Sequence, residues 1–79
     1  MPVITGVTRE GKKLIVTGQN FDDGAKVLIN GERQKTANDE ISPSTTLIAK
    51  KAGKFIQPGN KVTVQNSDGT FSNEFTYNP

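Results

Sequence analysis

The stretch TGQNFDDGAKVLINGE, Thr17 to Glu32, decides the fold. It reads as strand, turn, strand, turn. Apolar residues alternate on either side of two turn signals, Asp-Asp-Gly at 22–24 and Asn-Gly at 30–31. Asn-Gly between extended runs marks a hairpin, because both central residues of a type I′ turn need positive φ. The middle of the stretch sets an aromatic, Phe21, beside two carboxylates, Asp22 and Asp23. That grouping is either a cation or partner site, or ordinary turn chemistry.

The same pattern continues in both directions. VITGVT (Val3–Thr8) ends at the charged turn REGKK, and LIVTG (Leu14–Gly18) is rich in β-branched residues. KVLIN (Lys26–Asn30) runs into the Asn-Gly turn, with ERQKT (Glu32–Thr36) as its short partner strand. TANDEISPS is a loop that holds one helical turn at most, and TTLIAK (Thr45–Lys50) is strand again. KAGKFIQPGN is a connection, KVTVQN (Lys61–Asn66) alternates, and FSNEFTY (Phe71–Tyr77) follows the Ser-Asp-Gly turn. Six or seven short strands with regular turn signals predict an all-β, antiparallel sandwich.

Alternation assigns the faces. The predicted core is Ile4, Val7, Leu14, Val16, Phe21, Val27, Ile29, Leu47, Ala49, Val62, Val64, Phe75 and Tyr77. Ile15, Leu28 and Ile48 then point outward.

Composition narrows the function. The chain has 79 residues, the length of one small domain, residues 1–79. It has no Cys and no His. The usual zinc, copper and iron sites need those ligands, as do Cys nucleophiles and Ser-His-Asp triads. The net charge of +2 is mildly basic and short of a nucleic-acid signature. No apolar run approaches the roughly 18 residues of a membrane span. Met1-Pro2-Val3 opens directly into a strand with no signal-peptide core ahead of it. The expectation is a domain cut from a longer chain. Nothing in the sequence asks for a cofactor.

PVITGV, LIVTGQNF, AKVLINGE and KVTVQNSDGTFSNEFTY, in that order, resemble the IPT/TIG family of immunoglobulin-like domains. The resemblance spans Pro2 to Tyr77. Its most specific parts are Gly18-Gln19-Asn20-Phe21 and Asn66-Ser67-Asp68-Gly69 with Ser72-Asn73. The segment AGKFIQPGN departs from the shorter connection usual in the family. The resemblance implies an early-set immunoglobulin sandwich. It also implies a non-catalytic module, as in tandem repeats of bacterial surface and secreted proteins, plexin-like receptors, Rel-type transcription factors and starch-acting enzymes. The short loops and absent cysteines look most like a bacterial repeat, which sets the expected location at the cell surface or outside it.

Loops of a sandwich alternate between two ends. One end collects Asp22, Asp23, Asp39, Glu40 and Asp68. The other collects Arg9, Lys12, Lys13, Arg33, Lys50, Lys51 and Lys54, against Glu10 and Glu32. Asp22, Asp23 and Asp68 are the candidate calcium ligands, since that ion takes six to eight oxygens from converging loops. The simpler reading is that Asp and Gly are turn formers, with Asn20 bonding the loop backbone and Phe21 anchoring it. In a tandem array the acidic end of one domain would face the basic end of the next.

Val3, Ile15 and Ile48 fall outward on the strands that would be A, B and E, and form the candidate interface. Its expected partners are neighbouring domains, another protein, or a second copy in a weak homodimer through the A-B-E sheet, which the resemblance to Rel-type domains suggests. Membrane and nucleic acid are not expected partners. An accessory carbohydrate site would need aromatic platforms. Phe55 and Phe71 are the candidates, with Phe71 read as a lid on the core and Phe55, with Ile56, as a plug. An enzyme would have to use Asp22 or Asp23 with Asp68, at loop tips with no enclosed pocket.

Overall fold

The computed structural model describes residues 1–54 and 56–78. Among them are eight strands and one short 3-10 turn: β1 Val3–Glu10, β2 Lys13–Gln19, β3 Lys26–Ile29, β4 Glu32–Arg33, β5 Thr36–Asn38, β6 Thr46–Ala49, the 3-10 turn Ala52–Lys54, β7 Lys61–Gln65 and β8 Phe75–Thr76. They form two antiparallel four-stranded sheets. The first sheet has the order β1-β2-β6-β5 and the second β4-β3-β7-β8. This is the antiparallel sandwich the alternation predicts, of the immunoglobulin-like kind the family resemblance implies.

The inner faces meet as the parity argument requires. Leu14, Val16, Val27, Leu47, Ala49, Val62 and Val64 are fully enclosed, and Ile4, Phe21, Ile29 and Tyr77 lie with them in one cluster. Val7 and Phe75 are half-buried against it. Ala25, Ala52 and Ile56 complete the core from the loops. The Asn30-Gly31 hairpin is as expected, with φ of 51° and 86°. Gly18 sits where a Cβ would overlap the carbonyl oxygen of Val3, so the backbones of β1 and β2 cross at a point only glycine allows. A bulge at Thr5 shifts the β1–β2 register there.

Four expectations change. ERQKT is not one strand. Glu32 and Arg33 pair with β3, then Gln34 and Lys35 carry the chain across, and Thr36–Asn38 pair with β6 in the other sheet. Thr36 Oγ1 marks the crossing: it accepts from the Val27 N–H at 2.9 Å and donates to the Gln34 carbonyl at 3.0 Å. The Thr-Ala-Asn of the expected loop is therefore strand β5. Leu28 faces away from the core by register but is only 8% exposed, flanked by its ladder partners Arg33 and Thr63 on the outer face of a central strand. Phe71 is no lid: it is 51% exposed and makes a single bridge to Gln65, and regular pairing resumes only at Phe75. Phe55 lies outside the described residues. No helix among the described residues is long and apolar enough to cross a membrane.

Candidate functional site

The loops at the acidic end are joined by side chains. The Asn66 amide spans the gap between two of them, accepting from the Asp22 N–H at 3.1 Å and donating to the Asn20 carbonyl at 3.0 Å. Asp22 returns the bond across the same gap. Its carboxylate accepts from the Ser67 N–H at 3.0 Å and from Ser67 Oγ at 2.6 Å. Asn38 draws in the third loop, donating to the Asp22 carbonyl at 3.0 Å and to the Pro43 carbonyl at 2.9 Å. Asn20, in the left-handed region at φ 64°, donates to the Met1 carbonyl rather than to its own loop. Phe21 is buried below, as expected.

The carboxylates are thus engaged separately. Asp22 caps the Ser67 turn. Asp68 Oδ1 accepts from the Thr70 N–H at 2.9 Å, and that bond holds its pKa below the usual carboxylate value. Asp39 Oδ2 caps the next turn, accepting from the N–H groups of Ile41 at 3.0 Å and Ser42 at 2.9 Å. Asp23 is exposed. Asp22, Asp23 and Asp68 share the end of the sandwich, yet among the described residues no three acidic side chains gather as a metal-holding group.

The opposite end carries a lighter stitch, Asn30 Oδ1 accepting from the Lys61 N–H at 2.9 Å, and relies more on packing. Gly53 and Ala52 are buried, and the Gly53 N–H donates to the Lys12 carbonyl at 3.0 Å. Ile56 is 5% exposed and plugs the core from below. Arg9, Lys12, Lys13, Lys50, Lys51 and Lys54 are exposed around it. Arg33 departs from this group. Its guanidinium donates to Gln65 Oε1 at 3.2 Å, across the outer face of the second sheet toward the acidic end.

The outer face of the first sheet carries the expected interface residues. Ile15 and Ile48 are direct ladder partners, with Thr8 beyond Ile15 and Ala37 beyond Ile48, so one row crosses the sheet as Thr8, Ile15, Ile48, Ala37. Both isoleucines are half-buried. Val3, at 40% exposure, pairs with Gln19 and stands apart from that row beyond Gly6, Thr17 and Thr46. Strand parity found Ile15 and Ile48. It missed Ile41, which is 92% exposed in the turn capped by Asp39. An isoleucine in an otherwise polar loop was the available signal.

Two polar hollows lie on the second sheet and its lower edge, one bordered by Lys26, Arg33 and Gln65 and one by Asn30, Gln34 and Asn60. A third, the most apolar, lies beside β5 on the first sheet. Comparison with curated proteins and with solved structures returns no similar protein. The family model described as the IPT/TIG domain matches residues 2–78, nearly the full length of this sandwich, and the chain belongs to that family.

Proposed function

We propose that this domain is a structural and protein-interaction module of a larger cell-surface or secreted protein, and that its working surface is the outer face of the first sheet. Domains of this family are in general non-catalytic immunoglobulin-like modules. The observation that carries the reading is the Ile15–Ile48 pair with Ala37 beside it. Apolar residues in a row on an outer sheet face favour contact with a neighbouring surface. The chain enters at the acidic end, where Met1 is held by Asn20, and leaves at the basic end, where the Tyr77 N–H donates to the Asn60 carbonyl. A following domain would begin at the lysine-bearing end of this one.

The test is a tandem of two copies compared with the single domain. If the face is covered in the tandem, its melting temperature rises by about 4–8 °C for each kcal/mol of contact. Ile15→Asp then removes the gain. An unchanged melting temperature in the tandem would leave the face without a role between neighbours.

A second reading, an accessory carbohydrate- or calcium-binding module, is favoured by one observation, the half-exposed ring of Phe71. Binding of a soluble glucan would shift the Phe71 ring resonances. Calcium held by Asp22, Asp23 and Asp68 would raise the melting temperature over that in EDTA. Calcium would have to displace Ser67 and Thr70 from two of those carboxylates.

A further inference from the structure

Beside β5, on the outer face of the first sheet, lies a groove of about 360 Å³. Ala37 and Ile48, partners in the β5–β6 ladder, border it together with Ile41. Lys50 stands at one end, Asp39 and Glu40 at the other. From this arrangement we infer that the groove receives Ile41 of a second copy of this chain, in a two-fold pair that sets Lys50 of each copy against Glu40 of the other. The inference rests on the reading of this face as an interaction surface and names its occupant.

Three observations point to a second copy. The first is the exposure of Ile41. A branched aliphatic side chain at 92% exposure contributes nothing to the core of its own domain. It is nonetheless held in place, because Asp39 Oδ2 accepts from the N–H groups of both Ile41 and Ser42. A projecting side chain on an ordered turn loses little freedom when it binds. The second is proximity: projection and groove adjoin on one face. Two copies related by a two-fold axis satisfy both at once, and the contact closes without leaving a free projection. An enclosed apolar cavity of ~150 Å³ holds a benzene molecule, so the groove has room for an isoleucine side chain.

The third is charge. Lys50 follows Ile48 along β6, toward the basic end, while Asp39 and Glu40 follow Asn38, toward the acidic end. A two-fold axis lying across the strands reverses strand direction. It therefore places the Lys50 end of one groove over the Glu40 end of the other. The alternative axis, along the strands, would oppose Lys50 to Lys50 and is disfavoured. Asp39 is already occupied as the turn cap, so Glu40 is the carboxylate assigned to the contact.

The groove and its rim occupy a corner of one face on a domain whose whole surface is 4645 Å². Such a contact belongs to the small, weak class, well under ~1,200 Å² in total. The expected dissociation constant is on the order of 0.1–1 mM. The domain would thus be a monomer at low concentration and pair when tethered or crowded on a surface.

Amide shifts recorded from about 10 µM to about 1 mM at low salt test the pairing, with sedimentation at the same concentrations. The expected result is a concentration-dependent set of shifts confined to residues 37–41 and 48–50. Ile41→Asp is expected to weaken association at least tenfold while leaving the melting temperature unchanged, since the side chain packs against nothing in its own core. Lys50→Glu and Glu40→Lys are each expected to weaken it, and the two together to restore it. A chain that stays monomeric at about 1 mM overturns the pairing, as does a double reversal that fails to restore it. Either result leaves the tandem melt above unaffected, so the loss of this pair and the loss of the broader reading are told apart. Shifts centred on Ile15 and Val3, with none at Ile41, would move the contact elsewhere on the sheet and overturn the assignment of the occupant.

Discussion

The two ends of the sandwich are closed by different chemistry. At the acidic end, loops from three parts of the chain are laced together by Asn66, Asp22 and Asn38. At the basic end close packing dominates: Gly53 lies against the backbone of the β1–β2 turn and bonds the Lys12 carbonyl, Ala52 and Ile56 fill the space beneath the strands, and Asn30 ties its turn to Lys61. Polar lacing depends on direction and tolerates a lost partner when water can replace it. Close backbone contact tolerates nothing larger than what is there. The comparison also accounts for the carboxylates. Asp22, Asp39 and Asp68 at the acidic end serve the backbone, whereas the side chains of Lys12, Lys50, Lys51 and Lys54 at the other end stand exposed.

Gly53→Val would break the comparison most visibly. A Cβ at Gly53 would stand 2.7 Å from the carbonyl oxygens of Gly11 and Lys13, and these are backbone atoms that cannot swing aside. The expected loss is about 3 kcal/mol or more. A domain of this length holds only roughly 4–12 kcal/mol in all. Thermal or urea unfolding reads the loss directly. Asn66→Ala should cost less, about 1–3 kcal/mol, because it strands the Asp22 N–H and the Asn20 carbonyl in a half-buried position that water partly reaches. Equal losses from the two substitutions would mean that the acidic end is as rigidly closed as the other.

The smallest effect concerns acid. The pKa of Asp68 is lowered in the folded state by the Thr70 N–H, so its ionised form favours folding. That contribution is fully present above the ordinary carboxylate pKa near 3.8 and fades as pH falls through the lower folded value. A carboxyl titration by NMR should find the Asp68 midpoint below 3.8. Thr70→Pro, which removes the donor, should return it toward that value.

What the sequence made legible follows the same division. Parity within continuous strands placed every expected core residue in or against the core, from Ile4 to Tyr77. Asn30-Gly31 announced its hairpin because few other residues accept two positive φ angles in succession. Parity failed where pairing is interrupted. Phe71 and Phe75 have the same parity, but the chain between them leaves the ladder: Ser72 bonds Val64 through its side chain and backbone, while Asn73 reaches over to Ile4. The crossing at Gln34-Lys35 carries no Gly or Pro to announce it, and it is held by the Thr36 side chain together with backbone bonds from Gln34 to Val27 and from Lys50 to Lys35. The groove beside Ile41 was invisible because a turn held by Asp39 has no periodicity to read. Asn66 and Asn73 stand in the motifs that carry the family resemblance, but their partners were silent, as were those of Asn38, since an asparagine does not declare which distant backbone it will meet.

Asn73 has one more consequence. Its amide accepts from the Ile4 N–H at 2.8 Å and donates to the Ile4 carbonyl at 3.2 Å, fastening the start of β1 to the segment ahead of β8. Those two strands are the first and last of the chain, they run the same way, and they leave the domain at opposite ends. Tension applied through the termini therefore acts along the strands and across their hydrogen bonds. The β1–β2 ladder and the Asn73 clasp would share that load in shear, all at once, instead of parting one bond at a time like a zipper. For a module pulled from both sides, this makes resistance to force a property of the first and last strands and of the one asparagine that joins them.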